Sequence, residues 1–437
     1  MTGTWANWAG NQTADCSRVS PRGTEEISAA ITSAAAAGHR VKPIGSGHSF
    51  TGIGRPEEIQ LRLDRHADLV SLDSVSGLVT VQAGMTLQRL NRLLAEAGLA
   101  LTNLGDIDQQ TVAGALATGT HGTGARFGGL ATQLRGLELV LADGTVMPCS
   151  ATENPEIFGP ARINLGALGV VSALTLQAEP AFALRAEESL LPWAQTLDRF
   201  DELADGTDHF EFYWFPHTDS TLTKRNTRLP LTAGLDPLPG WRGWWDDEFL
   251  SNTVFSATVA LGRLLPAVVP PVNRFSTRAL GTRRYTDRSY RVFVSSRRVR
   301  FLEMEYAVPR AAAVEVVTAI RRTIEAAGWS LGFPIEVRVA AADDIALSTA
   351  QGRDSAYVAV HSPIGVDQRP YFTAVERIMA DYEGRPHWGK MHGLDREALL
   401  KLYPDLGTFI ELRNRLDPDG RFGNDYLDRV LGVSTPG

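Results

Sequence analysis

Two short turns dense in glycine and hydroxyl side chains, far apart in the chain, limit its possible folds more than any other feature. The first is Pro43-Ile44-Gly45-Ser46-Gly47-His48-Ser49-Phe50, and residues 41–44 predict a short strand running into it. Glycine lets a backbone approach an anion closely, and successive N–H groups can form an anion-binding nest. Gly45 and Gly47 match the first two glycines of a dinucleotide fingerprint, but Phe50 stands where the third belongs, and no Gly-Lys-Ser/Thr follows as in a P-loop. The second turn runs from Thr111 to Gly124 and carries Gly114, Thr118, Gly119, Thr120, His121 and Gly122. Between Leu104 and Ala125 there is no Lys or Arg, so a pyrophosphate here would be held by backbone N–H and hydroxyl donors. That suits a cofactor kept through turnover. A third small-residue turn, Leu165 to Val171, allows another surface to lie close, and plain backbone packing explains it nearly as well.

The surrounding pattern mixes helices and strands. Thr24 followed by Glu25 and Glu26 predicts an N-cap with acids in the first turn, and Gly38 a stop. A helix is expected at 87–97 with Thr86 as N-cap, and a hairpin after 137–141, where Asp143-Gly144 suits a type I′ turn. Strands are expected at 79–81, 170–177, 292–294, 303–308 and 335–339, and a helix at 310–327. Residues 226–282, rich in Pro, Trp and Arg with Trp241, Trp244 and Trp245 close together, read as an irregular loop. The class is α+β, and 437 residues are long for one hydrophobic core. The expected division is 1–180, 181–395 and 396–437, the last returning to the first.

Charge excludes some partners. With 43 basic and 50 acidic residues the net charge is −7, which argues against nucleic acid. The apolar stretch 257–272 holds Arg263 and three prolines, too broken for stable membrane insertion. The N-terminus has no basic segment followed by an apolar one, and two cysteines, Cys16 and Cys149, fit a reducing compartment, so a cytoplasmic protein is expected. No metal framework is read: His387 and His392 lack an acidic or thiolate partner nearby in sequence.

In Ile335-Glu336-Val337-Arg338-Val339, strand alternation puts Glu336 and Arg338 on one face and the apolar residues on the other. Unaided, that reads as a solvated surface pair. Tyr357, Ala359 and His361 share a face in the same way, and Lys390 follows His387-Trp388-Gly389.

Together the three turns, with Pro386-His387-Trp388-Gly389-Lys390 and Phe422-Gly423-Asn424-Asp425-Tyr426 near the C-terminus, resemble the vanillyl-alcohol-oxidase-type (PCMH-type) FAD-binding fold, in its aldonolactone oxidoreductase and alditol oxidase branch. The resemblance covers nearly the whole chain and is weakest at 226–282. It implies a two-domain FAD-binding fold with a C-terminal α+β cap domain over the substrate. It implies FAD held by Pro43 to Phe50, Gly105, Thr111, Gly114, Thr118 to Gly122 and Val171, with a covalent bond from His48 to the flavin. It turns Glu336 and Arg338 toward the substrate hydroxyls, with Lys390 and Arg338 supplying positive charge and Glu336 or His361 taking a proton. The implied substrate is a sugar lactone such as L-gulono-1,4-lactone, or a polyol, with oxygen or another redox acceptor. Asp106 and His361 stand where the alditol oxidases carry serine and threonine, which favours the lactone. Gly105 leaves room for oxygen, so oxidase and dehydrogenase both stay open. A flavin-binding protein without turnover is the alternative from another class.

Overall fold

Three strands of this protein are buried on both faces, although only one face of each is apolar. Phe301–Pro309, Ile335–Ala340 and Ser355–Pro363 are buried along nearly their whole length. The computed structural model describes residues 2–239, 266–279, 281–295 and 299–434. In it these strands lie in an antiparallel sheet of eight, in the order Arg283–Arg288, Phe182–Pro192, Ser220–Pro230, His209–Trp214, Ile335–Ala340, Ser355–Pro363, Phe301–Pro309, Arg385–Pro386.

Period-two alternation explains the two faces. Phe210, Phe212, Trp214, Ile335, Val337, Val339, Val358, Val360, Met304 and Tyr306 form one core cluster with Val316, Val317, Ile320 and Ile324 of the helix Ala313–Ala327 and with Phe372, Val375 and Met379 of Arg369–Asp381. Residues at the intervening positions, among them Glu211, Glu303, Glu305, Glu336, Arg338 and His361, face the other way and are also buried. Buried charge needs partners, because taking an ion out of water costs several kcal/mol.

What covers that charged face comes from the first half of the chain. A four-stranded sheet, ordered Thr2–Ala6, Thr13–Val19, Ile59–Arg62, Val41–Ile44, has its last two neighbours paired in parallel. Beside it lies an antiparallel sheet of five, ordered Leu69–Asp73, Leu78–Gln82, Val170–Gln177, Leu134–Val140, Val146–Ser150. A second core cluster joins these sheets to Tyr403, Phe409, Phe422, Leu427 and Leu431 from the C-terminal helices and the loops between them. The glycine turns leave the strands Val41–Ile44 and the short helix Val112–Ala117 toward the eight-stranded sheet. Gly124 N–H donates to Val339 O at 2.8 Å, tying the second turn to that sheet.

Several local expectations need correction. The first helix, Thr24–Ala36, is capped by Gly23 and already includes Thr24. The hairpin after Leu134–Val140 is a type I turn closed by glycine. Gly144 N–H donates to Leu141 O at 3.0 Å, and Gly144 takes φ +86 while Asp143 does not share it, as type I′ would require. Residues 292 and 293 belong to a helix, Ser289–Phe293, where a strand was expected. The segment 226–282 is partly regular: Ser220–Pro230 extends into it and Val269–Ala279 is helical. Trp241, Trp244 and Trp245 lie outside the described residues. Thr86 does cap the helix Leu87–Glu96, accepting from Arg89 N–H. Cys16 and Cys149 are both buried free thiols.

Candidate active site

The glycine turns line a cavity of about 240 Å³. Residues 42–49 form one wall, Thr111, Ala113, Gly114, Ala117 and Thr118 a second, and Asn164, Leu165, Gly166, Gly169 and Val171 a third. The walls are close because side chains are missing. A Cβ on Gly45 would fall 2.3 Å from Thr111 Oγ1, and Gly47 holds φ +71, in the left-handed region that favours glycine. Thr111 caps the helix Val112–Ala117 by accepting from Gly114 N–H. This is the backbone-walled cradle a dinucleotide needs, and it fits FAD. It is not free of cations, as the second turn alone suggested: Lys42 and Arg62 also line it. Lys42 is, however, occupied. Its ammonium donates to Phe422 O at 3.0 Å and Gly166 O at 3.3 Å, and burial pushes its pKa down to about 7.

The loop carrying His48 is held by the N-terminal turn. Trp8 N–H donates to Gly47 O at 2.7 Å, Asn7 Nδ2 to Ser49 O at 2.9 Å and Asn11 Nδ2 to Phe50 O at 2.9 Å. The Trp8 ring stacks on His48 with centroids 5.6 Å apart. Burial, with Lys390 adding repulsion, pushes His48 down to about 4, so its imidazole is neutral near pH 7.

A second cavity adjoins the first and shares His48, Ser49, Gln110 and Thr118 with it. Gly105, Asp106, Thr120, His121, Glu303, Glu305, Glu336, Arg338, His387 and Lys390 complete most of its wall. Arg338 is gripped by three carboxylates: Nε donates to Glu211 Oε2 at 2.9 Å, Nη2 pairs with Glu336 Oε1, and Nη2 lies 3.5 Å from Asp106 Oδ2. Tyr213 O–H donates to Glu336 Oε1 at 3.3 Å. Behind Arg338, Lys224 Nζ is 3.5 Å from the other oxygen of Glu211. Burial alone would raise Glu211, but Arg338 and Lys224 hold it below the usual carboxylate range. Burial opposes the charge on Arg338 as well, and Glu336, Glu211 and Asp106 outweigh it.

Lys390 Nζ donates to Glu303 Oε2 at 2.5 Å. His361 is set back behind Glu303, 3.7 Å from its Oε1, and stands edge-on to Phe301. Pro334 O can only accept, so His361 Nδ1 carries the proton in that 3.1 Å contact. His121 faces two acceptors, Gly122 O at 2.9 Å from Nδ1 and Glu305 Oε1 at 3.2 Å from Nε2, and its ring lies on Tyr357. His387 accepts from Gly389 N–H at 3.0 Å, and burial pushes it down to about 3. His121, Glu305 and His387 come together closely enough to hold a cation. But His387 Nδ1 accepts from Gly389 N–H, so the neutral ring carries its proton on Nε2, and His121 Nε2 is paired with Glu305, so the trio reads as a hydrogen-bonded cluster. His392, which lacks a metal partner beside His387 in sequence, is hydrogen-bonded to Tyr426 O–H.

Thus Glu336, Arg338, Lys390 and Asp106 meet in one wall, His361 stands a layer behind, and Gly105 packs against Thr120 and His121, where a Cβ would come within 3.1–3.2 Å. Sequence reasoning missed Glu211, Glu303, Glu305 and Trp8. The signal was there for the acids: Phe301-Leu302-Glu303-Met304-Glu305-Tyr306 and Phe210-Glu211-Phe212 alternate as Glu336 and Arg338 do.

The chain is similar to known proteins along nearly its whole length. A family profile described as FAD binding domain matches residues 17–150, and one described as D-arabinono-1,4-lactone oxidase matches residues 174–430. L-gulono-1,4-lactone dehydrogenase of Mycobacterium tuberculosis is 42% identical over 433 residues, 99% of this chain and 100% of that protein. L-gulonolactone oxidase of Bos taurus is 33% identical over 420 residues, 94% of each chain. Among solved structures, cholesterol oxidase from B. sterolicum superposes with a TM-score of 0.83 at 17% identity, over 99% of this chain and 97% of that one, and so shares the fold.

Proposed function

Given that the chain belongs to the D-arabinono-1,4-lactone oxidase family of FAD-binding proteins, we propose that it oxidises a hydroxyl of an aldonolactone such as L-gulono-1,4-lactone. The observation that carries this reading is the buried charged sheet face that meets the glycine-walled cradle. When bound, FAD supplies the two-electron acceptor for the hydride. Its binding residues are Pro43 to Phe50, Gly105, Thr111, Gly114, Thr118 to Gly122 and Val171, and the neutral His48 imidazole is the candidate for a covalent link.

The chain's own task is to orient the sugar and to move one proton. Glu336 and Arg338 bind the hydroxyls and hold the reacting carbon in place, worth several kcal/mol of barrier in well-oriented systems. The hydroxyl proton passes to the Glu336 carboxylate, with His361 behind Glu303 as the reserve base. Arg338 and Lys390 offset the negative charge that develops on the substrate oxygen. Asp106 selects among hydroxyl patterns at the edge of the site. We further propose that 1–180, 181–395 and 396–437 act as cofactor, cap and closing units. Oxygen or another acceptor would re-oxidise the flavin. A cytoplasmic setting accords with two buried free thiols, and among the described residues no helix is long and apolar enough to cross a membrane.

Anaerobic addition of L-gulono-1,4-lactone to the yellow holoenzyme should bleach the flavin. Bleaching by xylitol and not by the lactone would point to an alditol oxidase, and bleaching by no sugar, polyol or lactone would leave a binding protein. Oxygen uptake with the active substrate identifies the acceptor. After acid precipitation the colour should stay with the chain; colour in the supernatant would remove the His48 bond.

A further inference from the structure

We infer that loading the cofactor draws a proton onto Lys42, so that the protein holds FAD more tightly on the acid side of neutrality than on the alkaline side. The inference rests on the FAD-binding fold and not on the choice of substrate.

Lys42 is only 2% exposed, yet it lines the cradle. It stands in the strand Val41–Ile44, just before the first glycine turn. Its amine donates to Phe422 O at 3.0 Å and to Gly166 O at 3.3 Å. Both acceptors are neutral carbonyls, one from the C-terminal segment and one from the third wall of the cradle. A carbonyl accepts from an uncharged amine as it does from an ammonium, so these contacts survive loss of the proton. The ions around Lys42 are matched to other groups. Arg40 pairs with Glu57 and with Asp428, each at 3.0 Å. Asp417 accepts from Arg421 N–H at 2.7 Å and from Phe422 N–H at 2.9 Å. Arg62, which also lines the cradle, pairs with Asp64 at 3.2 Å. Burial disfavours the charged amine, and Arg40 adds to it. Asp417, Asp428 and Glu57 oppose burial without overcoming it, and the group is pushed down to about 7.

The pyrophosphate of FAD is a dianion, and the glycine turns offer it N–H donors rather than charge. A dianion entering a cavity that a buried amine lines favours the ammonium form of that amine. Loaded protein therefore keeps a proton that free protein has lost above about pH 7. Linkage fixes the sign. Below that pH the amine is charged with or without cofactor, and loading takes up nothing. Above it each loading event takes a proton from solution, so affinity falls as pH rises.

The test titrates FAD into full-length apoprotein made under riboflavin starvation. Calorimetry in HEPES and in Tris, buffers with different heats of ionisation, reads the protons taken up, and flavin fluorescence reads Kd. Wild type should take up most of one proton per FAD at about pH 8 and almost none at about pH 6, and its Kd should weaken roughly tenfold from about pH 6.5 to 9. Lys42→Arg keeps a cation that does not titrate, so uptake should vanish and Kd should stay near the wild-type acid value across the range. Lys42→Met keeps the length and removes the amine, so uptake should vanish and Kd should stay about tenfold weaker throughout. Either variant serves alone if the other fails to fold. Uptake that persists in a variant would overturn the proposal, as would wild-type binding with no uptake and a Kd constant over the range. If FAD binds at no pH, the cofactor assignment itself fails, and that result is distinct from the others.

Discussion

Glu211 shows how a side chain outside the cavity wall can govern one inside it. It fixes Arg338 through Nε while Glu336 and Asp106 meet the same guanidinium from the cavity side. Glu211→Gln keeps the shape and removes the charge, so Arg338 should lose orientation rather than burial. Hydrogen bonds to charged groups contribute about 1.5–3 kcal/mol, so kcat/KM should fall roughly ten- to a hundredfold. Flavin absorbance should be unchanged; steady-state kinetics beside a spectrum would check both, and full activity would show that Arg338 needs no third carboxylate. Glu336→Ala removes the proposed proton acceptor and should abolish substrate bleaching while the colour remains.

At the scale of elements, the glycine turns and the two-faced strands behave differently under substitution. Gly45→Ala drives a methyl group into Thr111 Oγ1, so the two turns must part, and the purified protein should be colourless or take up FAD only weakly. On the opposite side of the large sheet, Ile320 is fully buried in the helix Ala313–Ala327. Ile320→Ala should cost about 3 kcal/mol, measurable by urea unfolding, with the spectrum of the remaining folded protein intact. The sequence made these elements legible to different degrees. The glycine turns stood out by their density of glycine, serine and threonine, but a glycine-serine turn alone is more often only a turn, and it was the motifs in order along the chain that pointed to a cofactor. The face of Glu336 and Arg338 followed from alternation, but its burial did not, since alternation says which residues share a face and not what covers it. Glu303 and Glu305 were overlooked for that reason, their strand having been read as ordinary sheet. Val292 was misassigned because a short apolar run carries no period long enough to separate strand from helix.

For the whole molecule, the buried His209, His387 and His392 and the half-buried His48 shape the response to acid. Burial pushes His48 and His209 down to about 4 and His387 and His392 down to about 3. Below about pH 6.5 the unfolded chain binds protons that these folded sites refuse, so stability is fullest above that pH and is lost as pH falls toward 4. Each site should cost roughly 1–2 kcal/mol by pH 5. Melting temperature measured from pH 7.5 to 5 should drop steadily, and a flat profile would mean that these rings stay solvated. A different consequence follows from the seam around Val41–Ile44. Val41 N–H donates to Arg421 O, Lys42 to Phe422 O, and Asn424 Nδ2 to the carbonyls of Gly52, Ile53 and Arg55. The cradle's first wall is thus finished by partners translated some 370–380 positions later. A nascent chain carries that wall half-made until residues 421–424 have been translated, so cofactor capture should wait on that late segment rather than on the glycine turns, and insertions at the seam should trouble loading before they trouble turnover.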